Sequence, residues 1–238
     1  MKTYQIAGLT VRMESFGRTV TQAEPYLVED CGEADITIRS NWENLKANQP
    51  HLSDEDCEYL STGSSFYTQL LKFDGMMVHA SAVVVDGRAY LFSGPCGTGK
   101  STHTKIWRKL FGDERAKILN DDKPALRLED GQWFAYGTPW SGKTDQNLNI
   151  RVPLAGICFL KQASENRIRR LSQAEAVSRI ITQTVRKFKN VERLDSMLSC
   201  VEKIVQEIPV FELENRPEPA AAQLSYETMR KAAEEMGL

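Results

Sequence analysis

Alternating and periodic apolar positions along the chain predict a mixture of strands and helices. Two β-hairpins are predicted at residues 75–93 and 124–137, because in each an Asp-Gly pair separates two β-rich runs. Asp-Gly favours a two-residue type I′ turn between antiparallel strands. Apolar residues spaced by three and four positions indicate amphipathic helices. The helical segments are residues 100–112, 172–190 and 191–207, followed by a last helix from Glu218.

The first 70 residues carry shorter and weaker signals. Apolar residues alternate only weakly over residues 4–13, whereas residues 34–40 have the clearer alternation of a strand. Ser53 is a predicted N-cap because three acidic residues follow it in the first turn of a short helix. Residues 64–73 are predicted to form a second helical segment.

Short apolar runs between the predicted helices indicate buried strands of a central sheet. These runs are residues 116–122, 154–161 and 208–214. With the two hairpins, they predict an α/β fold that has a mixed sheet and a helical C-terminal part. We expect residues 1–70 to form a small N-terminal α+β layer and residues 71–238 to form the main domain.

Composition and charge narrow the class of protein. The chain has 238 residues and a formal net charge of −2, which gives no sign of a nucleic-acid-binding surface. Its apolar runs are far too short to span a bilayer. The five cysteines form no CxxC pair, which argues against a zinc site and a disulfide framework. A reducing, cytoplasmic location is therefore expected.

The stretch Gly94-Pro-Cys-Gly-Thr-Gly-Lys-Ser101 fits the pattern GxxxxGK[ST] between a predicted strand and a predicted helix. In such a loop the backbone N–H groups surround a phosphate, Lys100 reaches the β- and γ-phosphates, and the Ser101 hydroxyl binds Mg²⁺. The alternative is a glycine turn without a ligand. The residues predicted to bind nucleotide are Gly94, Gly97, Thr98, Gly99, Lys100, Ser101 and Thr102.

Three elements in order resemble the HPr kinase/phosphorylase family and, more distantly, ATP-dependent phosphoenolpyruvate carboxykinase. They are His79 on the strand before the hairpin turn, the glycine loop, and Asn120-Asp121-Asp122 at the end of a strand. The resemblance covers roughly residues 75–220. It implies a fold of that type with a P-loop, a main domain that is a P-loop kinase, and the possibility of a homo-oligomer.

The resemblance also implies roles for individual residues. Asp121 would act as the base, Asp122 would bind the metal with Ser101, and Lys100 and His79 would complete the catalytic set. A polar turn at the two aspartates and a hydrogen-bonded rim position for His79 are the structural alternatives. The chain lacks the family's arginine-glycine signature after the aspartates. Its first 70 residues are also too few for the family's regulatory domain, so we expect kinase rather than phosphorylase activity.

The stretch GTPWSGKT, residues 137–144, is a candidate acceptor loop. Trp140 would pack on the acceptor, Lys143 would neutralise the transferring charge, and Arg151 is a further substrate candidate. A purely structural turn is the alternative. His103, which follows the glycine loop, is expected on the surface of its helix.

These features predict an ATP-dependent kinase that phosphorylates a hydroxyl, with Mg²⁺ as its cofactor and ATP as co-substrate. The most favoured acceptor is a serine or threonine of a protein or peptide. A kinase for small-molecule hydroxyls and a nucleotide-gated binding module without catalysis are the alternatives. No nucleic acid and no membrane are expected among its partners.

Overall fold

The computed structural model describes residues 1–29, 32–185 and 190–238. Its strands are β1 (Lys2–Ile6), β2 (Leu9–Met13), β3 (Leu27–Val28), β4 (Ile36–Ile38), β5 (Gly75–Met77), β6 (Ala80–Val85), β7 (Arg88–Ser93), β8 (Ala116–Asn120), β9 (Ala125–Glu129), β10 (Gln132–Tyr136), β11 (Arg151–Gln162), β12 (Arg167–Arg170) and β13 (Val210–Asn215). Its α-helices are α1 (Gly17–Ala23), α2 (Trp42–Asn48), α3 (Asp54–Leu70), α4 (Lys100–Phe111), α5 (Gln173–Thr182), α6 (Val191–Glu207) and α7 (Pro219–Glu235).

The main sheet has the order β5-β9-β10-β11-β7-β6-β8, with β13 beside β11 and β12 beside β13. Strand β11 runs parallel to both β7 and β13, whereas the remaining neighbours are antiparallel. The predicted mixed α/β fold is therefore confirmed.

The second predicted hairpin is confirmed as β9 and β10, whereas the first forms only over β6 and β7, residues 80–93. Asp86-Gly87 and Asp130-Gly131 both turn with positive φ at each residue, as a type I′ turn requires. Gly75–Met77 form the separate strand β5, which pairs with β9. His79 therefore lies between β5 and β6, and the prediction that it lies on a strand is wrong.

The N-terminal layer contains a second sheet, of order β3-β1-β2-β4, and helix α3. Helix α3 is continuous over 17 residues, although the sequence predicted two shorter helices in this region. The helix continues through Gly63, and a Cβ at that position would lie 2.9 Å from Cδ1 of Trp140. The glycine therefore marks a close approach of the indole rather than a break between helices.

One buried cluster joins the N-terminal layer to the main sheet. On the side of the layer it includes Phe66, Tyr67 and Leu70, and on the side of the sheet it includes Tyr136 and Trp140. Burial of each such large apolar side chain contributes about 1.5–3 kcal/mol, so the cluster stabilises the contact between the two parts. The boundary between residues 70 and 71 stays a prediction, since the core is shared across it.

The C-terminal elements match their predictions closely. Helix α6, strand β13 and helix α7 occupy the predicted positions, and the Ser172–Glu175 capping box begins α5. Helix α5 ends at Thr182, earlier than predicted, and the carbonyl of its C-cap residue Gln183 accepts a hydrogen bond from the His79 N–H at 2.7 Å. Positions 186–189 of the predicted helix lie outside the described residues. None of the helices described has an apolar stretch long enough to cross a membrane.

The sequence predicted His103 on the surface of its helix, and this prediction is wrong. Helix α7 covers the side of α4 on which His103 lies. Its side chain is 1% exposed. The Nε2 atom of His103 lies 3.1 Å from Oγ of Ser225 on α7, and the Trp107 indole donates to both residues. Burial lowers the pKa of His103 to about 4.

Candidate functional site

The glycine loop, residues 94–99, joins the end of β7 to the start of α4. Gly94, Gly97 and Gly99 have φ values of 145°, 83° and 94°, in the region that favours glycine. Lys100 Nζ donates to the carbonyls of Gly94 at 2.9 Å and Pro95 at 3.2 Å, so its ammonium lies over the loop. Burial lowers the pKa of Lys100 from its ordinary value, although Cys96 and the two aspartates oppose the change.

Asp121 follows β8 and is almost buried, with 8% of its surface exposed. Its carboxylate accepts hydrogen bonds from the hydroxyls of Ser81 and Thr144, both at 2.6 Å. The Ser81 hydroxyl also lies 2.7 Å from that of Thr104, one turn after Lys100 on α4. Asp121 is therefore held next to the first turn of α4 by donors that carry no charge.

Asp122, the next residue, contacts basic side chains instead of neutral hydroxyls. His79 Nε2 lies 3.0 Å from one carboxylate oxygen and Lys123 Nζ lies 2.9 Å from the other. Burial raises the pKa of Asp122, but the hydrogen bond from His79 and the charge of Lys123 outweigh it, and the pKa falls to about 2. The Asp122 carboxylate is therefore ionised at neutral pH and already faces basic groups.

The turn chemistry of Asn120 sets the direction of both aspartates. Its buried side-chain oxygen accepts hydrogen bonds from the backbone N–H groups of Asp122 at 3.0 Å and Lys123 at 2.7 Å. Its amide nitrogen donates to the Thr138 carbonyl at 3.0 Å. The polar turn that was the structural alternative for these residues is thus present, and it holds the two carboxylates rather than replacing them.

A cleft of about 710 Å³ unites most of the predicted residues. Those that line it are His79, Gly97, Gly99, Lys100, Ser101, Thr102, Asp121, Asp122 and Lys143. Gly94 stays within the glycine loop, and Thr98 lines a neighbouring cavity that shares Gly97, Gly99 and Thr102 with the cleft. Among the described residues, no group of three or more His, Cys, Asp or Glu side chains could hold a metal ion by itself.

Two predicted acceptor residues lie away from the cleft. Trp140 is fully buried, stacks on Phe66 with 4.9 Å between the ring centroids, and donates from Nε1 to Thr62 at 3.2 Å. Arg151 pairs with Glu129 at 2.9 Å and lies over the Phe134 ring. The prediction that Trp140 packs on an acceptor is wrong for this structure, because its indole fills the core. Arg151 is likewise outside the site.

The N-terminal layer contributes a wall of the cleft that sequence reasoning missed. Arg18, Asp56 and Tyr59 line the cleft together with residues of the glycine loop. The guanidinium of Arg18 lies 3.7 Å from the centroid of the Tyr59 ring. Asp56 and Tyr59 share a face of α3 by their spacing of three, which was the one available signal. That spacing alone does not indicate what the face contacts.

The chain is similar to one protein family and to solved structures. A protein-family model described as SynChlorMet cassette protein ScmC matches residues 50–216. Among solved structures, the Hpr(Ser) kinase/phosphatase from Coxiella burnetii is similar to this chain at 14% sequence identity and a TM-score of 0.39. That similarity covers 68% of this chain and 92% of the other. No curated protein matches the sequence.

Proposed function

We propose that this chain, which belongs to the SynChlorMet cassette protein ScmC family, is an ATP-dependent kinase that phosphorylates a serine or threonine hydroxyl of a protein or peptide. The observation that carries the proposal is the common cleft of Lys100, Asp121 and Asp122. A phosphate-binding loop facing two carboxylates is the arrangement that phosphoryl transfer requires, because this reaction depends on positioning and charge stabilisation.

The glycine loop is proposed to bind the phosphates of ATP. Its glycines allow successive N–H groups to converge on an anion, and the N-terminus of α4 adds the positive end of the helix dipole. Lys100 would exchange its contacts with the loop carbonyls for the β- and γ-phosphates. Its ammonium already lies over the loop, where it contacts those carbonyls at 2.9 and 3.2 Å.

Mg²⁺ is proposed to bind on the side of the cleft that Asp121 and Ser101 line. Mg²⁺ in kinases is held by one or two carboxylates, substrate phosphates and water, so a cluster of three acidic ligands is not required. Asp121 accepts hydrogen bonds from neutral hydroxyls, and its charge therefore has no cationic partner in these contacts. When bound, the ion would neutralise charge on the β- and γ-phosphates.

The contacts favour the reverse of the roles predicted for the two aspartates. Asp122 is already paired with Lys123 and His79, which makes it the poorer metal ligand. We assign Asp122 to the acceptor: its carboxylate would orient the hydroxyl and take its proton as the oxygen attacks the γ-phosphorus. His79 would hold Asp122 in position, and Lys143 would stabilise charge on the transferring group.

The acceptor would lie between the phosphates and the N-terminal layer. That side of the cleft has the cation of Arg18, the ring of Tyr59 and the apolar side chains of Leu52 and Leu60. A mixed apolar and charged wall of this kind could contact the reacting side chain of a peptide together with its flanking residues.

The test is incubation of the purified chain with Mg·ATP and a library of peptides that contain serine and threonine, including peptides encoded beside its gene. The expected result is a peptide that gains one phosphoryl group, with one ADP formed for each, and loss of both signals with Lys100→Ala. Phosphorylation of small-molecule hydroxyls alone would show that the enzyme is a kinase but would contradict the peptide acceptor. ATP binding without ADP formation, with every acceptor tried, would instead establish a binding module and contradict the proposal.

A further inference from the structure

Arg18, the second residue of α1, places a cation on the wall of the cleft. Its guanidinium carbon lies 3.7 Å from the centroid of the Tyr59 ring, and Tyr59 is itself buried on α3. A guanidinium over an aromatic face is held in one orientation, with its N–H donors around the edge of the group. The Arg18 side chain is 31% exposed. Arg18 is therefore a positioned cation that a ligand in the cleft can reach.

The terminal N–H groups of Arg18 are not used by the protein. Nη1 lies 3.8 Å from Asp56 Oδ1, which is too long for a hydrogen bond, and two partly exposed side chains gain little from such a pair. Nε is enclosed and faces no ligand, whereas the two terminal nitrogens are not enclosed and donate to none of the described residues. The nearby acid Glu58 is fully buried and bonds to the Thr19 hydroxyl instead. The terminal N–H groups are therefore available to an anion.

The ring of Tyr59 also relates Arg18 to the carboxylate assigned to the acceptor. Its centroid lies 3.7 Å from the Arg18 guanidinium carbon and 5.1 Å from Lys123 Nζ. Lys123 Nζ lies 2.9 Å from Asp122 Oδ2. The guanidinium is therefore at most about 12 Å from this carboxylate, a distance that three or four extended residues span at about 3.3–3.6 Å each. A peptide whose hydroxyl lies at Asp122 can present a side chain to Arg18 from a position a few residues away.

We propose that Arg18 binds the side-chain carboxylate of an aspartate or glutamate that lies within about three residues of the phosphorylated hydroxyl, which makes the acceptor an acidic peptide. The inference rests on the proposed function, since it places the acceptor hydroxyl at Asp122. A planar guanidinium matches a carboxylate with two parallel hydrogen bonds. The peptide carboxylate would replace Asp56 as the anion closest to Arg18. Asp56 therefore competes with the acceptor for the same cation.

The first test varies the peptide and keeps the natural protein. Its probes are nonapeptides with a central serine and an amidated C-terminus, whose other positions are mixtures of uncharged residues. One position at a time is fixed as Asp, Asn or Lys, and phosphate incorporation from Mg·ATP is measured. Asp should exceed Asn by about tenfold at one or two positions near the serine, the effect of a hydrogen bond between charged groups. Equal incorporation with Asp and Asn at every position would overturn this inference and leave the kinase intact. If no peptide is phosphorylated, the proposed peptide acceptor fails together with it.

The second test varies the wall of the cleft. Arg18→Gln should abolish the preference for Asp over Asn, whereas Asp56→Asn should increase it, because the competing carboxylate is gone. Opposite effects of two neighbouring substitutions separate this role from a general loss of structure. Arg39→Gln is the matched control, because Arg39 is an exposed arginine of the same layer that lies outside the cleft. A full preference for Asp in Arg18→Gln, or a raised KM for ATP with no change in peptide selection, would overturn the inference. Should Arg18→Gln not fold, an unchanged preference in Asp56→Asn would overturn it.

Discussion

The hydroxyl of Tyr59 accepts a hydrogen bond from the backbone N–H of Gly142 at 2.9 Å. This bond connects α3 of the N-terminal layer to the segment that carries Lys143 and Thr144. Gly142 has φ +72°, and a Cβ at this position would lie 2.9 Å from that of Asp122. The N-terminal layer, the segment after Ser141 and the paired aspartates therefore meet at Gly142.

The two aspartates should respond differently to replacement by asparagine. Asp122→Asn should lower turnover by about 100-fold or more and leave ATP affinity nearly unchanged, because an amide cannot take the proton of the acceptor. Asp121→Asn should raise the Mg²⁺ concentration needed for half-maximal activity, because the metal loses a charged ligand. Metal titrations and nucleotide binding on both variants measure these effects. The opposite pattern would restore the assignment made from the sequence.

Lys143 and Arg151 form a matched pair of cations, one inside the cleft and one outside it. Lys143→Ala should lower kcat by about 100-fold with little change in the KM for ATP, since a cation near the transferring phosphoryl acts mainly in the transition state. Arg151→Ala should leave both parameters unchanged, because Arg151 faces Glu129. Equal effects of the two variants would show that net charge, rather than position, is responsible.

Trp140→Ala should affect stability rather than acceptor binding. Removing a fully buried indole leaves a cavity between α3 and the main sheet and should cost about 3–5 kcal/mol of unfolding free energy. Denaturant unfolding gives that value, and steady-state kinetics below the melting temperature test the site. A raised acceptor KM in the folded variant, with unchanged stability, would return Trp140 to the acceptor site.

Glu58 makes the free energy of unfolding depend on pH. Burial raises the pKa of Glu58 to about 7, although Thr19, the Phe16 backbone and Arg18 act in the opposite direction. Well below pH 4.5 the group is protonated in both states and has no effect on stability. As pH rises from 4.5 to 7 the unfolded chain loses this proton first, so stability falls, by on the order of 3 kcal/mol when complete.

Glu58→Gln removes that titration while keeping the shape of the side chain. The variant should match the wild type at a pH well below 4.5 and exceed its stability at pH 8, as measured by denaturant unfolding under both conditions. Thr19, which donates to Glu58, would retain an acceptor in the amide oxygen. A difference between the two proteins that does not change with pH would contradict the raised pKa.

Local signals account for what the sequence predicted correctly. The Asp-Gly turns and the glycine loop depend on a few adjacent residues, and the structure places them as expected. The contact of Tyr59 with Gly142 joins residues 83 positions apart, and no short pattern encodes it. Trp140 follows a Thr-Pro step that is typical of an exposed turn, yet Gly63 provides the space that buries it. His103 was misplaced because the helix that covers it comes more than 100 residues later.

The shared aromatic core has a consequence for how this chain can be divided. Residues 71–238 contain every residue of the glycine loop and both aspartates. A fragment that begins at residue 71 would therefore retain all the motifs that the sequence analysis identified. It would nevertheless lack Phe66, Tyr67 and Leu70, which cover Tyr136 and Trp140. Without this cover, Tyr136 and Trp140 would face water as one contiguous apolar patch, a surface that favours aggregation. Fragments intended for expression or for fusion to other proteins should therefore retain α3.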